Sequence, residues 1–237
     1  MGLEQVKALT FDVFGTVVDW RSSIIREGQT FGRHKGIDAD WERFADAWRA
    51  LYQPSMSKVR NGEMPWTKLD DLHRMSLQQL LQEYRIEGLN EEEIDHLNHA
   101  WHRLDPWPDS VDGLTRLRRK YVLATLSNGN VALLVNMAKR AGLPWDAVLG
   151  AELARHYKPQ PEAYLMTADY LGFPPRQCML VAAHNHDLVA ASEVGFHTAF
   201  VCRPTEYGPS QSEDLRAEHD FDVVADSFTE LANKLGC

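Results

Sequence analysis

Cysteine is scarce in this sequence: three in 237 residues, at Cys178, Cys202 and Cys237. An odd number at wide spacing gives neither a disulfide framework nor a zinc-ligand pattern. Cys178 and Cys202 lie in apolar strand-like runs, where a thiol serves as a small hydrophobe. No apolar run approaches the ~20 residues that cross a bilayer, and no basic segment with an apolar stretch behind it opens the chain. A soluble, cytoplasmic protein is the expectation. Positive charge is also in deficit. The 34 Asp and Glu outnumber the 25 Lys and Arg, for a formal net charge of −9, and the basic residues are scattered. That argues against the basic footprint of a nucleic-acid binder. No internal repeat or low-complexity tract is visible. What remains is ordinary globular composition, 44% hydrophobic and 25% charged, on a chain long enough for one large domain or a core with a smaller insert.

Short apolar runs with strand character recur at 7–13, 121–127, 147–150, 178–183 and 198–202, with a weaker sixth at 221–225. Stretches of helical spacing separate them: Val111, Leu114 and Leu117, then Val131, Leu134, Val135 and Ala138. Strands alternating with helices predict an α/β fold with a Rossmann-like parallel sheet. One segment breaks the alternation. From Trp20 to Pro106 only helical periodicity is present, with Trp41, Phe44, Ala45, Trp48, Leu51 and Tyr52 on one face, Leu77, Leu80, Leu81 and Tyr84 on a second, and Ile94, Leu97, Trp101 and Leu104 on a third. Pro106 and Pro108 end it. The expected organisation is a core of residues 1–19 and 107–237 with an inserted all-helical cap of residues 20–106.

Parallel sheets bind ligands outside the carboxyl ends of their strands. The residues at those ends are Asp12 in "ALTFDVFGTVVDW", Ser127 and Asn128 in "TLSNGN", and His184 to Asp187 in "AAHNHDL"; Lys158 sits in a loop before Pro159. Asp12 is ionised at neutral pH without help and can act as a nucleophile. A turn or capping aspartate is its bland alternative. Lys158 alone reads as an exposed loop lysine, and "TLSNGN" alone as a strand-to-helix turn. Asp187 either caps the next helix or faces the pocket, and His184 has the range of a general base. A metal site from His184, His186 and Asp187 is disfavoured, because two of the three diverge on an extended chain. Arg49 lies at the shoulder of an apolar helix face, either covering apolar surface with its stem or pointing into a cleft. His96, His99 and His102 form a ladder opposite Ile94, Leu97 and Trp101, which reads as a solvated face.

Together, "FDVFGT" on the first strand, "LSN" on the second, the Lys-Pro loop and the acidic Asp187 resemble the haloacid dehalogenase superfamily, and within it the L-2-haloacid dehalogenases. The likeness covers nearly the whole chain. It implies hydrolysis of short 2-haloalkanoic acids through an ester on Asp12, with halide as product. Superfamily phosphatases carry a second aspartate two residues after the nucleophile to protonate the departing alcohol; this chain has Phe14 there. A halide leaves as a stable anion and needs no acid. By resemblance, Arg49 and Asn128 cradle the halide, Ser127 and the backbone at Val13 and Phe14 hold the substrate carboxylate, Thr16 and Lys158 position Asp12, and Tyr164 supports the site. No cofactor and no metal are expected, since a singly charged haloacid lacks the phosphate dianion that magnesium balances. A homodimer is also expected from the likeness.

One stretch departs from the family. Where members resemble Ser-Asn-x-Trp-Asp, this chain reads Ala183-His184-Asn185-His186-Asp187. The asparagine is replaced by His184 or displaced to Asn185, which is expected to contact substrate. His184, with Asp187, is expected to activate the hydrolytic water, and the smaller wall is expected to suit haloacetates. The alternatives are a phosphatase, a phosphonate hydrolase using a lysine such as Lys35, Lys58 or Lys68, or a non-catalytic regulatory member of the fold.

Overall fold

The computed structural model describes residues 2–237. In chain order the elements are β1 (Ala8–Phe11), the two-residue β2 (Val18–Asp19), α1 (Trp20–Lys35), α2 (Trp41–Ala50), α3 (Tyr52–Arg60), α4 (Leu69–Glu83), α5 (Glu91–Asn98) and β3 (Asp105–Pro106). They continue with α6 (Ser110–Leu117), β4 (Val122–Thr125), α7 (Val131–Ala141), α8 (Ala151–Ala154), α9 (Pro161–Leu171), β5 (Cys178–Ala182), α10 (Asn185–Glu193), β6 (His197–Val201), β7 (Val223–Ala225) and α11 (Phe228–Lys234).

Strands β4, β1, β5, β6 and β7 form one parallel sheet in that order. Its strands read as continuous apolar runs because both faces are covered. Leu9 and Phe11 pack into one core cluster, while Ala8, Leu180, Ala182 and Phe200 pack into the other. The chain leaves β1 to form β4 on one side, then crosses to form β5 on the other. The carboxyl end of β1 is therefore the point where strand order reverses, the crevice where open sheets hold ligands.

The run at 147–150 is not a strand. It makes isolated bridges, Ala147 to Ala124 and Gly150 to Ser127. The Thr125 hydroxyl exchanges bonds with the Leu149 backbone at 2.7 and 2.9 Å, replacing a ladder with a side chain. The weaker run at 221–225 does supply a strand, β7.

Between β2 and β3 the chain is helical. Asp19 caps α1 and Asp40 caps α2 through their side chains, and Asn90 with Glu93 forms a capping box on α5. β2 and β3 pair antiparallel, Val18 with Pro106 and Asp19 with Asp105, tying together the two ends of this segment. No strand was expected there. The aromatic core of the segment runs to the sheet: Trp48 meets Trp101 edge-on at 5.5 Å, and Trp101 meets Phe14 at 6.0 Å. The histidine ladder is a partial correction. His96 and His99 are exposed, but His102 is buried. After Asn98 the chain tightens into a 3₁₀ turn over His99–Arg103, where side chains three apart eclipse; His102 stays over His99, 4.5 Å between ring centres, and is buried by what packs on it. There it meets Asp70 at 3.0 Å and Asn136 at 3.0 Å. Among the described residues no helix is long and apolar enough to cross a membrane.

Candidate active site

Asp12 follows β1 directly and lies on the floor of a cavity of about 620 Å³ between the sheet and the helical segment. It is 7% exposed. Its two oxygens have different partners. Oδ1 accepts from Lys158 Nζ at 3.0 Å. Oδ2 accepts from the Thr16 hydroxyl at 2.6 Å and lies 3.1 Å from His184 Nδ1. The Thr16 oxygen in turn accepts from the Ala183 backbone N–H at 2.9 Å, which fixes the hydroxyl proton on Asp12. Burial favours the neutral acid, but Lys158, His184 and Thr16 together outweigh it and hold the Asp12 pKa far below the usual carboxylate range.

Lys158 bridges Asp12 to Asp187, and Asp187 also accepts from the Tyr164 hydroxyl at 2.6 Å. Burial opposes the charge on Lys158, but the two carboxylates hold its pKa above the ordinary lysine value. The Lys158 backbone N–H donates to Asn128 Oδ1 at 2.8 Å. That leaves the Asn128 amide hydrogens for Tyr52, beside it, and for the cavity.

Phe14 lines the same cavity, with its ring edge-on to Tyr52 at 6.2 Å. Arg49 enters from α2. Its guanidinium lies 4.3 Å from the Tyr52 ring centre and 5.3 Å from that of Trp20, desolvated contacts worth up to about 2 kcal/mol. Its Nη1 is buried without a hydrogen-bond partner. A cationic donor held unused in a cavity is a ready anion site. A divalent metal does not fit this donor set. The ammonium of Lys158 already stands between the Asp12 and Asp187 carboxylates, and no group of three metal-binding side chains comes together among the described residues.

The profile of the haloacid dehalogenase-like hydrolases matches residues 6–195. The chain belongs to that family. A solved structure of the L-2-haloacid dehalogenase PA0810 is 48% identical, covers 98% of this chain and 99% of its own, and superposes with a TM-score of 0.95. The defluorinating L-2-haloacid dehalogenase Rha0230 is 46% identical over 98% of this chain and 96% of its own, with a TM-score of 0.96. Among curated relatives, (S)-2-haloacid dehalogenase 4A of Burkholderia cepacia is 28% identical over 98% of both chains.

In this haloacid dehalogenase-like hydrolase the structure brings Asp12, Phe14, Arg49, Asn128, Lys158, His184 and Asp187 to one cavity, with Thr16 and Tyr164 bonded behind them. Two side chains expected to meet substrate, Ser127 and Asn185, are engaged elsewhere, and Val13 stands outside the wall. Ser127 is fully buried and its hydroxyl oxygen accepts from the Gly129 N–H at 3.0 Å, closing the turn after β4. Val13 is not part of the cavity wall and its carbonyl accepts from Val17 and Val18, but its backbone N–H, the group expected to hold the carboxylate, has no hydrogen-bond partner among the described residues. Asn185 faces away: its amide donates to Asp214 Oδ1 and to the Arg216 carbonyl, and its oxygen accepts from Glu218, so it anchors the loop at 214–218. The partner expected of His184 also changes. Its Nε2 lies 3.0 Å from Glu206, not against Asp187, which Lys158 and Tyr164 occupy.

Trp20, Tyr52 and Tyr207 are also in the wall, and Glu206 lies buried behind His184; none of the four was expected as a site residue. For Glu206 the available signal was the strand-end rule itself, applied to the loop after β6. Lys35, Lys58 and Lys68 lie outside the cavity, whose one lining lysine is Lys158.

Proposed function

We propose that this hydrolase cleaves the carbon–halogen bond of short 2-haloalkanoic acids, haloacetates included, and yields 2-hydroxy acids. In this reading the Asp12 carboxylate attacks C2 from behind the halogen, forms an ester and expels halide. Water then cleaves the ester at the Asp12 carboxyl carbon. Arg49 Nη1 and the Asn128 amide receive the departing anion, where preorganised donors lower the barrier most. Phe14, Tyr52 and Trp20 form the apolar wall. Lys158 and Thr16 hold Asp12, and Asp187 takes a proton from the hydrolytic water. Displacement inverts C2, and the relatives' names point to the S enantiomer as substrate. Residues 20–106 act as a cap over the site. A cytoplasmic, homodimeric enzyme belongs to the same reading, with sedimentation as the check on the dimer.

The observation that carries this reading is Phe14. An ionised Asp12 stands in the cavity, and the residue two places on is a phenyl ring packed on Tyr52 rather than a proton donor. An alkoxide leaving group needs that donor and a halide does not. The lysine of a phosphonate hydrolase is missing from the wall as well, since Lys158 is committed to Asp12 and Asp187. The test is a panel of chloroacetate, fluoroacetate, both enantiomers of 2-chloropropionate, phosphate esters and phosphonates, read by ion chromatography. Halide release confined to 2-haloacids supports the reading. Phosphate release without halide release contradicts it.

A further inference from the structure

Glu206 is completely buried, and its place is built from several sides. Trp20 Nε1 donates to Oε1 at 3.0 Å. His184 Nε2 lies 3.0 Å from Oε2 and 3.2 Å from Oε1, and Arg49 Nη2 lies 3.8 Å from Oε1. Gly15 has φ +85°, and a β-carbon there would fall 2.1 Å from Glu206 Oε1, so only glycine lets the carboxylate approach. Arg203 ties down the loop: its Nε donates to the Thr16 carbonyl at 2.9 Å, and its guanidinium grips Asp109 at 2.8 and 3.1 Å. Glu206 is thereby fixed to the same turn that carries Asp12 and Thr16.

His184 stands between two carboxylates. An ionised carboxylate only accepts, and a neutral imidazole has one N–H. The contacts to Asp12 and to Glu206 are both hydrogen bonds only when both ring nitrogens carry protons. Charge balance agrees. Around His184, Arg49 and Lys158 stand against Asp12, Asp187 and Glu206, and Asp46, Glu213 and Asp214 also line the cavity, so the site carries excess negative charge before an anionic substrate enters and an imidazolium reduces it. The remaining titratable neighbours of the ring are His186, 5.7 Å away centre to centre, and Tyr207.

We propose that Glu206 is a positioning residue that keeps His184 an imidazolium, and that His184 and Thr16 together form the oxyanion hole for hydrolysis of the Asp12 ester. This rests on the dehalogenase reading. The ester forms through Oδ1, the oxygen with one partner, and Oδ2 becomes the carbonyl oxygen. A water oxygen bonds to Cγ, the carbonyl electron pair moves to Oδ2 between the Thr16 hydroxyl and the His184 N–H, and one water proton passes to Asp187. Collapse restores the carbonyl and breaks the Cγ–Oδ1 bond. The product alkoxide leaves with Oδ1 and takes the proton from Asp187. The second water proton, on the new Asp12 carboxyl group, is lost to solvent. His184 donates throughout and accepts no proton, so it is not the base expected from its residue type.

Two measurements on the whole enzyme decide this. The first is nitrogen-15 NMR of His184 in the substrate-free protein at about pH 8, above the ordinary imidazole range. Both ring nitrogens are expected to be protonated in the wild type, and one in Glu206→Gln. The second is single-turnover kinetics with a 2-haloacid. Glu206→Gln is expected to slow ester hydrolysis by about tenfold to a hundredfold while halide release changes by less than about threefold. The ester then accumulates on Asp12 by mass spectrometry, and the alkaline limb of hydrolysis moves to lower pH. Glu206→Asp recovers part of the rate. A wild-type His184 with one protonated nitrogen overturns the proposal and needs no variant to fold. Halide release and hydrolysis falling together in Glu206→Gln also overturns it. Should the wild type release no halide, the dehalogenase reading and the ester-hydrolysis role fall together, while the nitrogen shifts still decide the charge on His184.

Discussion

The two oxygens of Asp12 face two differently made halves of the site. On the Oδ1 side, Lys158, Tyr164 and Asp187 come from the loop before α9, from α9 and from α10, all packed on the sheet. On the Oδ2 side, Thr16 and His184 are backed by Glu206 and Trp20, with Arg49 beyond, and this half spans the sheet edge, the loop after β6 and the helices inserted after β1. In the proposed reaction the first half holds Asp12 as an anion, and the second surrounds it with donors that remain when its own charge disappears into an ester.

Several variants sharpen that contrast. The largest effect belongs to Asp12→Asn, which leaves the cavity intact and removes the attacking oxygen; halide release is expected to fall at least about a thousandfold in a chromatographic assay. Lys158→Met comes next and attacks the fold as well as the chemistry. It leaves the Asp12 and Asp187 carboxylates buried without their shared cation, and chemical denaturation is expected to show a loss of about 3–5 kcal/mol. Arg49→Met keeps the apolar stem but not the donor, and is expected to cut halide release by about a hundredfold or more, with a stability loss of up to about 2 kcal/mol from the cation–π contacts.

The two halves also respond to pH in opposite directions. Asp12 has a depressed pKa, so its ion pairs contribute stability above the ordinary value of 3.8, lost as pH falls toward the folded-state value. His184 has burial working against its charge, but Glu206 and Asp12 raise its pKa well above 6.5. Its contribution is complete below 6.5 and is lost as pH rises through the raised value. Thermal melts across pH are expected to show the deficit of Glu206→Gln against the wild type largest below pH 6.5 and shrinking on the alkaline side, and that of Lys158→Met largest above pH 3.8 and shrinking on the acid side. The smallest effect is expected from Asn185→Ala: a loss of about 1–2 kcal/mol from unpairing the 214–218 loop, with kcat/KM within about threefold of the wild type.

The Oδ1 half was legible in the sequence because it obeys local rules. An apolar run ending on Asp12, a lysine before Pro159 and an aspartate just past the next strand converge wherever parallel strands end together. Arg49 was legible through its place beside an apolar helix stripe. The misreadings have physical causes. Ser127 and Asn185 sit at turns where a short polar side chain can serve backbone or loop as readily as a ligand, and only the turn geometry decides. His102 is buried by its meeting with Asp70 and Asn136, more than 30 residues away on either side. Glu206 lies in an aperiodic loop, and its role depends on Gly15 leaving room and Arg203 folding the loop back, contacts some 190 residues apart in sequence.

The central claim is covalent capture by Asp12. One turnover of 2-chloropropionate in oxygen-18 water with enzyme in excess, followed by peptide mass analysis, tests it directly. The account predicts label in the peptide carrying Asp12 and unlabelled oxygen in the product, because Oδ1 departs with the hydroxy acid. Label in the product with none in the protein would contradict it.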